Sequence, residues 1–342
     1  MSTQGDGRLR AWLQSVAALI WFFIARSIAH RGSAVLAGES LQPLAEAFFL
    51  AALLVIGISG LGFWMSGRAF SVQEQGLPAR EGWQREAALG LAAGWSVAMV
   101  CTLFLALGGG IAFTLSLQLA SWKWLLADTA FFALMALAEE LAFRGYAFQR
   151  FLRASGSSLA VLLFAFIYAL VQAQLPGSNL VSFLLSMVLS FCLSMAYLRT
   201  RALWVSWGLN FGWKAGRALL FGLAISGNSQ HSPVIQGDPL GPFWLTGGGF
   251  GLDGSWMALL VLLLALPLLH KATRELDYRY NAPVFVPAGI AVDLDAAART
   301  THEQAMGTPA EQPLVQIQPA SVSVASVVEA ESAAVDSTQS EK

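Results

Sequence analysis

Ala130-Phe131-Phe132-Ala133-Leu134-Met135-Ala136-Leu137-Ala138-Glu139-Glu140-Leu141-Ala142-Phe143-Arg144 decides how this chain is read, because it sets two carboxylates and a guanidinium inside an apolar run. A charge in hydrocarbon is costly and persists mainly where it is paired, hydrogen-bonded or turned to a polar cavity, so neighbouring glutamates there mark a functional-site candidate. On an α-helix, residues four apart share a face. Glu140 can therefore pair with Arg144, while Glu139 points about 100° away and stays available. A carboxylate without a dedicated cation can serve as general base toward water; read structurally, the same cluster is a polar lock between helices.

Outward from this stretch the composition agrees. Of 342 residues, 56% are hydrophobic and only 12% charged, with a mean hydropathy of +0.59, far from the balance of a soluble globule. Apolar runs of spanning length fall at about 11–30, 44–66, 87–108, 119–142, 157–175, 180–198, 203–226 and 255–270. The first, with Arg26, and the last, which is short, are the weakest. The pattern predicts an all-α, polytopic integral membrane protein of about eight transmembrane helices, and no cleavage pattern follows the first run to suggest a signal peptide. Basic residues collect before the first run and after the second, fourth, sixth and last, which predicts that both termini face the cytoplasm. A formal charge of −1 excludes nucleic acid as a partner, since a binder needs a basic surface. Cys101 and Cys192 lie in apolar runs and read as small buried hydrophobes.

The chain divides on this reading into N-terminal transmembrane helices (1–118), a core (119–270) and an acidic, disordered tail (271–342). From Asn281 onward only Arg299 and Lys342 offset eight acids, too polar a segment to fold alone. The Gly- and Pro-rich stretch 227–254 reads as an irregular outer lid, and 67–86 as a loop with a short interfacial helix. Gly90, Ala93 and Gly94 suit a close helix contact. Glu46 faces either a cavity or the outer interface.

The run Glu139-Glu140-Leu141-Ala142-Phe143-Arg144-Gly145-Tyr146, continuing to Phe148-Gln149-Arg150, resembles the EExxxR motif of the CPBP family, the type II CAAX prenyl endopeptidases and bacteriocin-processing Abi proteins. In the same order, Leu162 to Tyr168 resembles that family's FxxxH motif. Arg199 to Trp204, leading to Gly208-Leu209-Asn210-Phe211-Gly212-Trp213-Lys214, resembles its HxxxN/D motif, and Leu245 to Ser255 resembles a glycine-rich stretch common in bacterial members. The resemblance covers about 125–256.

It implies a CAAX-protease-like helical bundle in a bacterial inner membrane, acting on membrane-associated or prenylated peptides among membrane lipid, with the first glutamate activating water. Catalytic candidates are then Glu139, Glu140, Arg144, Tyr168, Asn210 and Lys214. The chain departs from the motifs where Tyr168 stands for a histidine and where Asn210 and Lys214 stand for the histidine and asparagine. Some family members use a metal; here the histidine ligands are absent, His30, His231, His270 and His302 all lie elsewhere, and no cofactor is expected. At 1.5 Å per residue, Glu139 lies about 16 Å inside a fourth helix running to Arg150, Tyr168 about 16 Å inside the fifth, and Asn210 and Lys214 about 12 and 18 Å inside the seventh. Lys214 at that depth requires a counter-charge, and Glu139 is the unpaired candidate. Two functions follow: an endopeptidase with Tyr168, Asn210 or Lys214 as oxyanion donors, or a pseudoenzyme that binds or shields such peptides without cutting.

Overall fold

The computed structural model describes residues 2–228, 234–274, 276, 284–285 and 291–292, in two units, Met1–Ala282 and Pro283–Lys342. The first unit is helical. It comprises α1 (Ser2–Leu36), α2 (Gln42–Ser66), α3 (Trp83–Gly108), β1 (Ile111–Leu115), α4 (Leu119–Phe143), α5 (Tyr146–Ser155), α6 (Ser157–Gln172), α7 (Leu180–Thr200), α8 (Trp204–Ala215), β2 (Ile235–Pro239), the single turn α9 (Phe243–Thr246) and α10 (Trp256–Ala272). In the second unit β3 (Val284–Phe285) pairs antiparallel with β4 (Ala291–Val292); of the expected acidic tail, 271–342, the first two residues belong to α10, 273, 274 and 276 are also described, and beyond these and the two strands the rest lies outside the described residues.

The all-α membrane class stands, and each of the eight expected runs contains a helix. Among the described residues, four helices are long and apolar enough to cross a membrane: α1 from Gly7, α2 to Met65, α3 and α7; α6 and α10 are shorter apolar helices. The run 119–142 falls outside that group because Lys123, Asp128, Glu139 and Glu140 interrupt it. The run 203–226 does not continue as one helix: α8 ends at Ala215 and gives way to a π-helical turn, Gly216–Leu220.

Three further expectations change. The fourth helix does not run on to Arg150. It stops at Phe143, where Arg144 and Gly145 both donate to the Glu140 carbonyl, and a Cβ on Gly145 would lie 2.3 Å from the Leu141 oxygen. The glycine thus permits a sharp corner that starts the separate helix α5, so Glu139 sits only about 6 Å from the end of α4. The stretch 67–86 forms turns rather than an interfacial helix; Gly76 takes a φ of 111°, and Gln75 reaches into the bundle to the Val55 and Phe70 carbonyls at 3.2 and 3.3 Å. The outer stretch 227–254 is not wholly irregular either, because Ile235–Pro239 pairs with Ile111–Leu115, in the register Ile111 with Pro239 through Leu115 with Ile235.

What positions the core of the bundle is a reciprocal glycine contact. A Cβ on Gly90 or Gly94 would meet the Val205 or Leu209 carbonyl oxygen at 2.1 or 2.3 Å, and one on Gly208 or Gly212 would meet the Ala87 or Leu91 oxygen at 2.2 or 2.5 Å. Small residues on both partners let α3 and α8 pack backbone against backbone. With Gly208 and Gly212 turned to α3, residues 210 and 214 of α8 fall on another face. Trp207 ties that helix to α4, its Nε1 donating to the Ala133 carbonyl at 2.9 Å.

Candidate functional site

Glu139 and Glu140 sit near the C-terminal end of α4, Tyr168 is four residues from Gln172 on α6, and Asn210 is four residues from Lys214 on α8. The i, i+4 spacing puts each of the last two pairs on one helix face, and the faces meet. All six catalytic candidates, Glu139, Glu140, Arg144, Tyr168, Asn210 and Lys214, are buried, with Glu140, Arg144 and Asn210 fully so.

Glu139 is the hub. Its Oε2 accepts from Asn210 Nδ2 at 2.8 Å and from Tyr168 Oη at 3.2 Å. Its Oε1 accepts from Lys214 Nζ in a buried ion pair and from Gln172 Nε2 at 3.4 Å. Glu140 takes the inner position: its Oε1 accepts from Asn210 Nδ2 at 3.1 Å and from Arg144 Nη1 at 3.4 Å. The asparagine amide therefore bridges both carboxylates. Arg144 is further fixed by α7, donating through Nη2 to Ser190 Oγ at 2.6 Å and to the Ser190 carbonyl at 3.2 Å. Its guanidinium carbon lies 5.0 Å from the centre of the Tyr168 ring, and Phe143 closes on that ring edge-on at 5.1 Å.

Two acids and two bases thus share one low-dielectric pocket, where each charge is balanced by an opposite one in contact, as burial of ions demands. Of the side chains in this network only Gln172 is half-buried, and the others are buried. The sequence reading does not single out Gln172 or Ser190, although the period-four spacing from Tyr168 marks the first and the buried series Ser182, Ser186, Ser190 and Ser194 marks the second. Nor does it single out Arg217. Three residues beyond Lys214, in the π-helical segment, its Nη1 donates to Asp253 Oδ1 at 2.8 Å and its guanidinium lies 3.9 Å over the Trp213 ring.

The donor set does not fit a metal. Among the described residues no three His, Cys, Asp or Glu side chains stand together as a ligand set, and the Lys214 ammonium holds the Glu139 oxygen that a cation would use. His30 bonds Glu46 at 3.0 Å, and His270 contacts Arg199 at 2.9 Å. His231 and His302 lie outside the described residues. Cys101 and Cys192 are buried free thiols.

The family model described as type II CAAX prenyl endopeptidase Rce1-like matches residues 120–216. Over this segment the chain is similar to the type II CAAX prenyl endopeptidases. No curated protein and no solved structure matches it. The matched segment runs from the start of α4 to the end of α8, so it contains every residue of the Glu139 cluster and stops just before the Arg217–Asp253 pair. That similarity and the four described helices long and apolar enough to cross a membrane together make this an integral membrane protein.

Proposed function

We propose that this protein belongs to the CPBP family and holds a membrane-associated or prenylated peptide without cutting it, in place of the endopeptidase cleavage that the family's description names. The observation that carries this reading is the saturation of Glu139. A carboxylate offers about four lone-pair sites, and Lys214, Gln172, Asn210 and Tyr168 occupy four. A general base needs a lone pair within reach of the water it activates. Freeing the Lys214 site means separating a buried ion pair, a loss of roughly 3–5 kcal/mol when one partner is removed, and freeing any of the other three breaks a hydrogen bond to the carboxylate. Added to an activation barrier, about 3 kcal/mol already slows a reaction on the order of a hundredfold.

A second reading keeps hydrolysis. It is favoured by the convergence of the Tyr168 hydroxyl and the Asn210 amide on the same carboxylate oxygen, which leaves two donors suited to a developing oxyanion. On either reading the protein works in a bacterial inner membrane with both termini in the cytoplasm, a topology supported by the distribution of its Lys and Arg residues.

The deciding experiment incubates the purified full chain, in lipid, with fluorogenic membrane-anchored peptides beside the triple variant Tyr168→His, Asn210→His, Lys214→Asn. The native chain is expected to bind without turnover, and the triple variant to gain turnover. Turnover by the native chain that disappears in Glu139→Gln would overturn the non-cutting reading in favour of the endopeptidase.

A further inference from the structure

At the end of the bundle where α1 begins and α7 ends, a cavity of about 990 Å³ opens between the first turns of α1, the loop after α2, α5 and the end of α7. Six arginines line it, Arg8, Arg10, Arg68, Arg150, Arg153 and Arg201, against the single carboxylate of Glu74. That carboxylate is already engaged, since its two oxygens accept from Arg68 at 2.6 and 3.0 Å. Arg10 donates to the Met65 carbonyl at 2.6 Å. Among the described residues, Arg8, Arg150, Arg153 and Arg201 have no carboxylate within ion-pair distance.

Basic residues at one end of a membrane bundle are ordinary; their convergence from four separate segments on one concave surface is not explained by that rule. Like charges gathered around a cavity repel, and low-dielectric walls strengthen the field they project into it. The arrangement becomes favourable once an anion fills the space. Part of it is also preset. The Arg150 guanidinium carbon lies 4.7 Å from the Tyr146 ring centre and 5.5 Å from that of Phe70, while Arg68 lies 5.7 Å from Phe70. Both rings are buried and sit 4.7 Å apart. A stacked guanidinium keeps its in-plane N–H donors for a ligand and loses less freedom on binding.

We propose that this cavity binds a phosphate group, with Arg150, Arg153 and Arg201 as its main donors. Planar guanidinium forks match phosphate oxygens in pairs, which carboxylate-free arginines in a cavity are well placed to do. The headgroup of an anionic phospholipid is the favoured source, because exposed Leu9, Trp12 and Leu13 stand on α1 beside the lining residues Arg8 and Arg10 and offer apolar surface to acyl chains. The site is independent of whether the Glu139 cluster hydrolyses anything.

The test follows thermal unfolding of the purified full chain in neutral detergent with three probes: short-chain phosphatidylglycerol, short-chain phosphatidylcholine and inorganic pyrophosphate. Stabilisation by phosphatidylglycerol alone identifies a lipid headgroup, and equal stabilisation by pyrophosphate identifies a soluble phosphate. The Arg150→Gln, Arg153→Gln double variant is expected to weaken the effective probe about tenfold or more, whereas Arg85→Gln, exposed at the start of α3 and outside the cavity, leaves it unchanged. Should the double variant not fold, Arg8→Gln with Arg201→Gln, both exposed, tests the same cavity. No stabilisation by either phosphate probe, equal stabilisation by phosphatidylcholine, or an equal loss in Arg85→Gln would overturn the proposal.

Discussion

Lys214 and Glu139, seventy-five positions apart, form an ion pair in which side-chain exposure is 10% and 9%. Neither charge has another contact of opposite sign within ion-pair distance among the described residues, so each is the other's compensation. Removing one leaves a buried charge; removing both removes the problem. Lys214→Met is therefore expected to destabilise the protein by roughly 3–5 kcal/mol, and Lys214→Met with Glu139→Gln to recover most of that loss. Thermal unfolding in detergent, run as a double-mutant cycle, checks it. Additive losses would mean that the two side chains do not depend on each other.

Two glycines, one in the α3–α8 contact and one on α2, carry predictions of opposite sign. Gly90→Ala places a methyl group 2.1 Å from the Val205 carbonyl oxygen, a backbone atom that cannot move alone, so the helices must separate and carry Asn210 and Lys214 with them. A loss of about 1–3 kcal/mol or more is expected, as for other overpacked sites. Gly60→Ala, on α2 with nothing within 4 Å of the new carbon, is expected to stabilise by about 0.4–1 kcal/mol through lower unfolded-state entropy. Unfolding midpoints of the two variants, compared with the parent chain, separate steric clash from helix propensity.

Outside the membrane segments, the Arg68 guanidinium bound to Glu74 holds its carboxyl down at about 2, helped by the Ser71 amide. Ser71 N donates to Glu74 Oε2 at 3.0 Å, so ionised Glu74 fixes the loop. A depressed carboxyl contributes stability fully above its unfolded value, about 4.3, and loses it as pH falls through the folded value. Hydrogen exchange at Ser71 is expected to stay protected at neutral pH, weaken below about pH 4.3 and lose protection near pH 2. In Glu74→Ala, which has no side-chain acceptor, it should be unprotected throughout. Protection that never changes with pH would show that the loop is held by other contacts.

Local rules made most of this architecture legible. The eight apolar runs are long enough to read against a hydrocarbon thickness, and the isolated charges at Glu139, Glu140 and Lys214 stand out because so few charges surround them. The corner at Gly145 was not legible, because nothing in an apolar sequence says whether a glycine continues a helix or lets a carbonyl approach. Nor was the pairing of Ile111–Leu115 with Ile235–Pro239, which joins segments more than a hundred residues apart and carries no turn signal between them. Gln172 was hidden for a different reason: an uncharged amide at the end of an apolar helix looks like a boundary residue until a carboxylate is placed opposite it.

Arg217 and Asp253 show how the cluster is tied to the rest of the bundle. Arg217 is three residues beyond Lys214, its Nε donates to the Trp213 carbonyl at 3.0 Å, and its Nη1 bonds Asp253. The other oxygen of Asp253 accepts from the amide and hydroxyl of Ser226, both at 3.1 Å, where the backbone takes a φ of 48°. One carboxylate therefore holds the π-helical turn and the strained loop after it together. Asp253→Asn keeps the shape but withdraws the charge, leaving a guanidinium that is 1% exposed without its counter-ion. Such a loss is expected to cost about 3–5 kcal/mol. Hydrogen exchange should rise first at 221–228, next to the broken contact, while the amides of α6 stay protected. Uniform exchange across the bundle would instead mean that this pair acts on global stability and has no local role at the turn.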